Sequence, residues 1–260
     1  MSNDDLILAR DLAAEAGRML LSMRVGFDAD AATREQAKDL RDRADRAAHE
    51  LLAAGLADAR PDDALLSEEG VDGTARLGSE RVWIVDPLDG TWEYGQGRDD
   101  FAVHVALWVS GSLVAGAVAL PARGDVLDTG SVPPVVDAVP SGTLRLVVSR
   151  TRPPAALDAL IPALSARLGV AVEAYSVGSA GVKAVEVVEG RADAYLHDSG
   201  LSEWDVAAPA AVAAAAGLRV TDLSAQALAY NRMPPLVGEL LIARPVVADA
   251  VVAALASLQD

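Results

Sequence analysis

Asp86 and Asp89 lie three residues apart in the stretch Asp86-Pro87-Leu88-Asp89-Gly90-Thr91, directly after the apolar run Val82-Trp83-Ile84-Val85. Carboxylates held this close repel unless a cation sits between them, and their hard oxygens suit a divalent metal. The apolar run reads as a buried strand that delivers Asp86 to its carboxyl end. Pro87, which cannot donate to a ladder, makes the chain leave the sheet, and Gly90 lets the backbone approach a bound anion. A second acidic pair, Glu68-Glu69, ends the neighbouring run Ala64-Leu65-Leu66-Ser67, and Asp205 follows Trp204 ahead of an Ala-rich segment. Each has a plainer reading: the two aspartates can bond turn amides, Thr91 can cap a helix or turn, and Asp205 can be the N-cap of the helix that follows.

The elements that must position these groups follow from periodicity. Leu8, Leu12, Leu20 and Met23 mark a helix over about Asp4 to Met23; Leu40, Ala44, Leu51 and Leu52 mark another over Arg34 to Ala59, which places Asp45 on a helix. Ala64 to Ser67 and Arg81 to Val85 read as strands, followed by Phe101 to Trp108, Leu113 to Leu120 and Asp125 to Thr129 as an antiparallel meander. The Pro- and Gly-rich stretch Val132 to Gly142 divides the chain into an N-terminal lobe, 1–135, and a C-terminal lobe, 136–260. Beyond it strand and helix alternate: strands Leu144 to Ser149, Val170 to Ser176 and Ala192 to His197, with helices Pro154 to Leu168, Ala180 to Glu189, Val206 to Ala216 and Val246 to Leu258.

Composition narrows the function class. An apolar content of 52% excludes disorder, and the lack of cysteine excludes disulfides, thiolate zinc and thiol nucleophiles, which fits a reducing cytoplasm. The acidic start and the absence of any apolar run near the roughly 20 residues needed to span a bilayer argue against membrane insertion. A net charge of −16 disfavours nucleic-acid polymers and anionic lipid, whereas small anions remain open because divalent cations invert the potential inside one cleft.

Taken together, Glu68-Glu69, Asp86 to Thr91 and Trp204-Asp205-Val206-Ala207-Ala208 resemble, in order, the motifs of the magnesium-dependent, lithium-sensitive phosphatases that include inositol monophosphatase, fructose-1,6-bisphosphatase and the bisphosphate nucleotidases. The resemblance extends over essentially the whole chain. It implies the α/β fold of that family, a layered α-β-α-β-α sandwich, and two Mg2+ ions with a third, weaker one near Glu68. Glu68, Asp86 and the Leu88 carbonyl would hold the first, and Asp86, Asp89 and Asp205 the second. It further implies that Asp45, 23 residues ahead of Glu68, accepts a hydrogen bond from Thr91, and that Asp45, Thr91 and Glu68 serve in-line attack of activated water on a phosphate monoester. Gly90 and Thr91 would receive the phosphoryl oxygens. His49 and His104 have no part in this scheme and read as structural. A homodimer is common in the family.

The residues around the motifs bear on the substrate. Trp92-Glu93-Tyr94 keeps the acid and aromatic of the nucleotidase branch but lacks its basic residue, and Val177 to Lys183 resembles the segment with which that branch places a lysine near a second phosphate. Lys183 is one of two lysines beside 20 arginines, so its retention asks for a reason, and the resemblance implies that it binds substrate together with Ser179; a partly exposed helix lysine is the alternative. His197 stands where some nucleotidases carry arginine, so Arg150 or Arg152 would supply that charge. Tyr195 and Tyr230 could flank an adenine or belong to the core. The resemblance is nearest to bacterial 3'(2'),5'-bisphosphate nucleotidases, with 3'-phosphoadenosine 5'-phosphate as substrate. Inositol monophosphatase, histidinol phosphatase and a silent metal- or nucleotide-binding protein are the alternatives.

Overall fold

The structure, a computed structural model, describes residues 3–71 and 73–258. Helix α1 (Asn3–Arg24) buries Leu6, Ala9, Leu12, Ala13, Ala16 and Leu20, a stripe at helical spacing whose small members let it lie close to a sheet. Helix α2 (Arg34–Ala59) starts in a capping box, in which Thr33 Oγ1 accepts from Gln36 N and Gln36 Oε1 from Thr33 N. Its buried face runs Leu40, Ala44, Asp45, Ala48, Leu52, so one carboxyl is carried inward on an otherwise apolar stripe.

These helices cover one face of a five-stranded sheet ordered β1 (Ala64–Ser67), β2 (Arg81–Asp89), β3 (Ala102–Val109), β4 (Ser112–Leu120), β5 (Asp125–Asp128). The β1–β2 pair is parallel and the others antiparallel. Strand β2 is buried on both sides: Trp83 and Val85 face α1 and α2, whereas Val82 and Ile84 face a second core. That is why its sequence reads as a continuous apolar run rather than an alternation.

The second core is filled by α5 (Ala180–Val188) and α6 (Glu203–Ala215), with Val182, Val185, Val206 and Ala210 packed between the first sheet and a second one. The second sheet is ordered β7 (Val172–Val177), β6 (Leu144–Ser149), β8 (Ala194–Ser202), β10 (Leu236–Ala243), β9 (Arg219–Thr221). Its outer face packs against α4 (Leu157–Leu168) and α7 (Pro245–Ser257) through Leu146, Leu160, Leu164, Leu241, Val247 and Val251. The layers are therefore helix, sheet, helix, sheet, helix, as expected.

Three expectations change. Pro87 does not end β2, which continues to Asp89: Asp86 pairs with His104 and Asp89 with Ala102, so three steps on β2 oppose two on β3. The extra residue is a bulge, one of the few sheet positions that accept proline. Helix α6 begins earlier than expected, with Ser202 at its N-cap and Asp205 at N3 of a capping box. Strands β9 and β10 fall where no strand was read, because register shifts at Gly238, whose φ is +86°, break the alternation that would have marked β10.

Candidate active site

The bulge at the end of β2 aims Asp86 and Asp89 into a cleft of about 210 Å3 between the first sheet and α5 and α6. Leu88 N donates to Asp86 Oδ1 at 3.0 Å, which folds the aspartate back on the bulge and leaves its buried Oδ2 without a hydrogen-bond partner. Gly90 has a φ of +89°, and a Cβ there would lie 3.0 Å from the Asp100 carbonyl, so the turn requires glycine. Glu68 reaches the same cleft from the end of β1, and Asp205 reaches it from the first turn of α6. Ligand oxygens of Asp86, Asp89 and Asp205 lie within 4.8 Å of one another.

Buried acids this close hold on to protons. Burial, then Glu68, Asp89 and Asp205, push the Asp86 carboxyl well above its ordinary range. Burial and the nearby Asp205 and Asp89 raise Glu68 to about 7, and burial and Asp89 raise Asp205 to about 6. Asp45, buried on α2, is raised to about 8 by burial and then by Glu68 and Glu69, and its Oδ1 has no hydrogen-bond partner. Asp89 goes the other way. Burial opposes its charge, but His104, Lys183 and Ser179 outweigh that and hold it below the usual carboxylate range. Its Oδ2 accepts from Ser179 Oγ and, at 2.8 Å, from Gly181 N.

The donor set of oxygens, with an orphaned buried carboxylate atom and mutual repulsion, fits a hard divalent cation, which would relieve the charge these groups impose on each other.

The cationic side of the cleft comes from the second half of the chain. Lys183, 3% exposed, donates through Nζ to Ser179 O at 2.7 Å and lies 5.1 Å from the Tyr195 ring centroid. Burial lowers it to about 8, against Asp89, Glu93 and Asp205. The alternative of a partly exposed helix lysine is removed, since α5 is enclosed between the two sheets. His197 also lines the cleft, but burial, Lys183 and Arg152 lower it to about 4, so it is a neutral imidazole near pH 7.

Several placements differ from the sequence reading. Arg150 does not line the cleft: Nη1 pairs with Glu93 at 2.7 Å and Nη2 with Asp100, while Arg152 takes the lining position. Glu93 is thereby committed to an ion pair, and Tyr94 belongs to the core, its hydroxyl donating to Leu20 O at 2.7 Å. Thr91 lines the cleft, but its hydroxyl donates to Leu88 O at 3.1 Å rather than to Asp45, because a threonine opening a short helix readily reaches the carbonyl three residues back. His49 sits beside Ser67, Nδ1 to Oγ 2.8 Å. His104, read as structural, touches Asp89, with Nε2 3.2 Å from Oδ2. Its sequence signal was an imidazole on an otherwise apolar strand, and the pairing partner that gives this meaning is set only by the β2–β3 register.

The chain was compared with known proteins. The chain is 47% identical over 253 residues to a 3'-phosphoadenosine 5'-phosphate phosphatase of Mycobacterium bovis, covering 93% of this chain and 90% of that protein. It is 34% identical over 198 residues to the 3'(2'),5'-bisphosphate nucleotidase CysQ of Escherichia coli, covering 72% and 78%. Among solved structures, CysQ from Bacteroides thetaiotaomicron superposes with a TM-score of 0.78 at 29% identity over 93% of this chain and 97% of that one. Residues 3–259 match the inositol monophosphatase family, and with the cleft carrying that family's acidic motifs, the chain belongs to it.

Proposed function

We propose that this protein is a magnesium-dependent phosphatase that hydrolyses 3'-phosphoadenosine 5'-phosphate to AMP and phosphate. The observation that carries the reading is the convergence of Asp86, Asp89 and Asp205 within 4.8 Å, in a cleft also lined by Lys183 and Arg152. The relatives named as phosphatases of this nucleotide support the substrate. Glu68, Asp86 and the Leu88 carbonyl would hold one Mg2+, and Asp86, Asp89 and Asp205 a second, with Glu68 the edge for a third. Bound there, the ions supply Lewis-acid activation of water and neutralise charge on the leaving oxygen.

The chain's own residues do the rest. Gly90 and Thr91 at the cleft floor receive the phosphoryl oxygens. The Thr91 hydroxyl is positioned to exchange a proton at Oγ1, and Asp45, once it has given up its own proton, bears on the charge of Asp86. Lys183 and Arg152 favour an anionic group beyond the scissile phosphate, with Ser179 tying the start of α5 to Asp89 at the edge of that subsite and His197 offering a neutral hydrogen-bonding ring; Arg150 acts by bracing Glu93 and Asp100. The same proposal includes two lobes, 1–135 and 136–260, a homodimer, a cytoplasmic setting and a place in sulfate assimilation. Supporting the first is that each sheet is drawn from one side of residues 129–143, and among the described residues no helix is long and apolar enough to cross a membrane.

The test is phosphate release in magnesium from the nucleotide bisphosphate and from inositol 1-phosphate. Lys183→Ala is expected to lower kcat/KM for the nucleotide by roughly 10-fold or more, the loss of a charge-assisted contact, while sparing inositol 1-phosphate. Lithium and calcium are expected to inhibit. Equal losses on both esters would favour an inositol monophosphatase instead.

A further inference from the structure

His104 lies on β3 between Ala102 and Ala106, two residues of the core between the sheets, and is fully buried. An imidazole in such a place is costly unless its nitrogens find partners. Here Nδ1 lies 3.2 Å from the carbonyl of Trp204, the residue before Asp205, and Nε2 lies 3.2 Å from Asp89 Oδ2, within ion-pair distance but not aligned as a hydrogen bond. One ring thus spans the two segments, 115 residues apart in the chain (204 − 89), that bring Asp89 and Asp205 to the cleft.

The surroundings are shaped for that ring. A Cβ on Gly181 would lie 2.2 Å from His104 Nε2, so glycine at the start of α5 makes room for the imidazole. With no side chain in the way, Gly181 N donates to the same Asp89 Oδ2 at 2.8 Å, beside Ser179 Oγ. Three groups from β3 and the start of α5 therefore converge on one oxygen of Asp89, which leaves Oδ1 as the free ligand atom.

We propose that His104 is a positioning residue that fixes Asp89 and the start of α6 relative to one another, and so sets the divalent-metal affinity of the cleft. The inference rests on reading Asp86, Asp89 and Asp205 as metal ligands. Groups that orient ligands in this way are worth about 10–100-fold in metal affinity.

The test is direct manganese binding to the full chain, by electron paramagnetic resonance or calorimetry, beside KM for substrate at saturating metal. His104→Leu fills the space without a donor. His104→Asn places its amide near the Nδ1 position, reaching Trp204 but not Asp89, and His104→Gln places its amide near the Nε2 position, within reach of Asp89. His104→Leu is expected to raise the manganese dissociation constant about 10–100-fold, with substrate KM little changed, and His104→Gln to recover most of the loss. If His104→Leu does not fold, His104→Asn binding more weakly than His104→Gln at matched melting temperature gives the same support. Wild-type manganese affinity in His104→Leu or His104→Asn would overturn the role of His104 and leave the metal reading standing. No manganese binding by the wild type would overturn the metal reading, and this inference with it.

Discussion

The two ends of β2 meet acidic side chains in opposite circumstances. At its start, Asp63 accepts from Arg81 Nε at 2.8 Å, Arg81 Nη2 at 3.0 Å and Trp83 Nε1 at 2.8 Å, while Asp5 accepts from Arg60 and Arg81. Burial acts upward on the Asp63 carboxyl, but the Arg81 and Trp83 hydrogen bonds outweigh it and hold the group low. At the other end Asp86 and Glu68 face further carboxyls and are raised. One strand thus joins a set of satisfied charges to a set of frustrated ones. Paired acids contribute to the fold; acids left facing each other inside a protein are kept at a cost to stability, and a bound cation is what offsets it.

The strongest way to break this contrast is Asp86→Asn. Loss of a carboxylate proposed to serve both ions is expected to reduce phosphate release by more than about 100-fold, beyond what outer groups of metal sites are worth. In EDTA the same variant should melt higher than the wild type, because burying Asp86 among other acids costs either a buried charge or a proton taken up on folding, and asparagine needs neither; a lower melting temperature would contradict the account of repulsion.

The next effect concerns pH. Asp45, Glu68 and Asp205 sit near 8, 7 and 6 in the folded protein, above ordinary values of 3.8, 4.5 and 3.8. The fold therefore binds more protons than the unfolded chain, so for these groups metal-free stability is greatest below about pH 4, falls as pH rises above that, and the loss is complete only above about 8. Protons and Mg2+ compete for the same oxygens. The magnesium-induced gain in melting temperature should be small at pH 5 and larger at pH 8, where a ligand at 100 times its dissociation constant adds about 2.7 kcal/mol. A gain independent of pH would sink the idea that these carboxyls hold the metal.

The smallest effect sharpens the other end. Asp63→Ala leaves Arg81 and the Trp83 indole without their acceptor and is expected to cost about 2 kcal/mol in denaturant unfolding, with kcat and KM unchanged. An accompanying loss of activity would show that the two ends of β2 are coupled.

Much of this was legible in the chain. The bounds of α2, β1 and β6 follow from periodicity and flanking breakers, and the acidic motifs stand out because Asp-x-x-Asp-Gly follows a buried strand and is joined by Glu68-Glu69 at the end of a neighbouring one. The partners of those residues were not legible. Arg150 is drawn to Glu93 and Asp100 rather than the cleft, and Thr91 to the carbonyl of Leu88 rather than to Asp45, because the fold brings these acceptors nearer than the expected ones. Strand β10 escaped notice since its bulges disrupt the period of two.

By itself the sequence determined which groups were available: oxygen ligands without thiols, two amphipathic helices to shield one sheet, and glycines where the turns need them. Tertiary structure decided which of those groups meet. Whether His104 is a buried passenger or a contact of Asp89, and whether Asp205 merely opens a helix or also faces Asp86, depends on how a bulge, a ladder register and a helix start are brought into one cleft. Those are long-range distances, and local residue preferences carry no information about them.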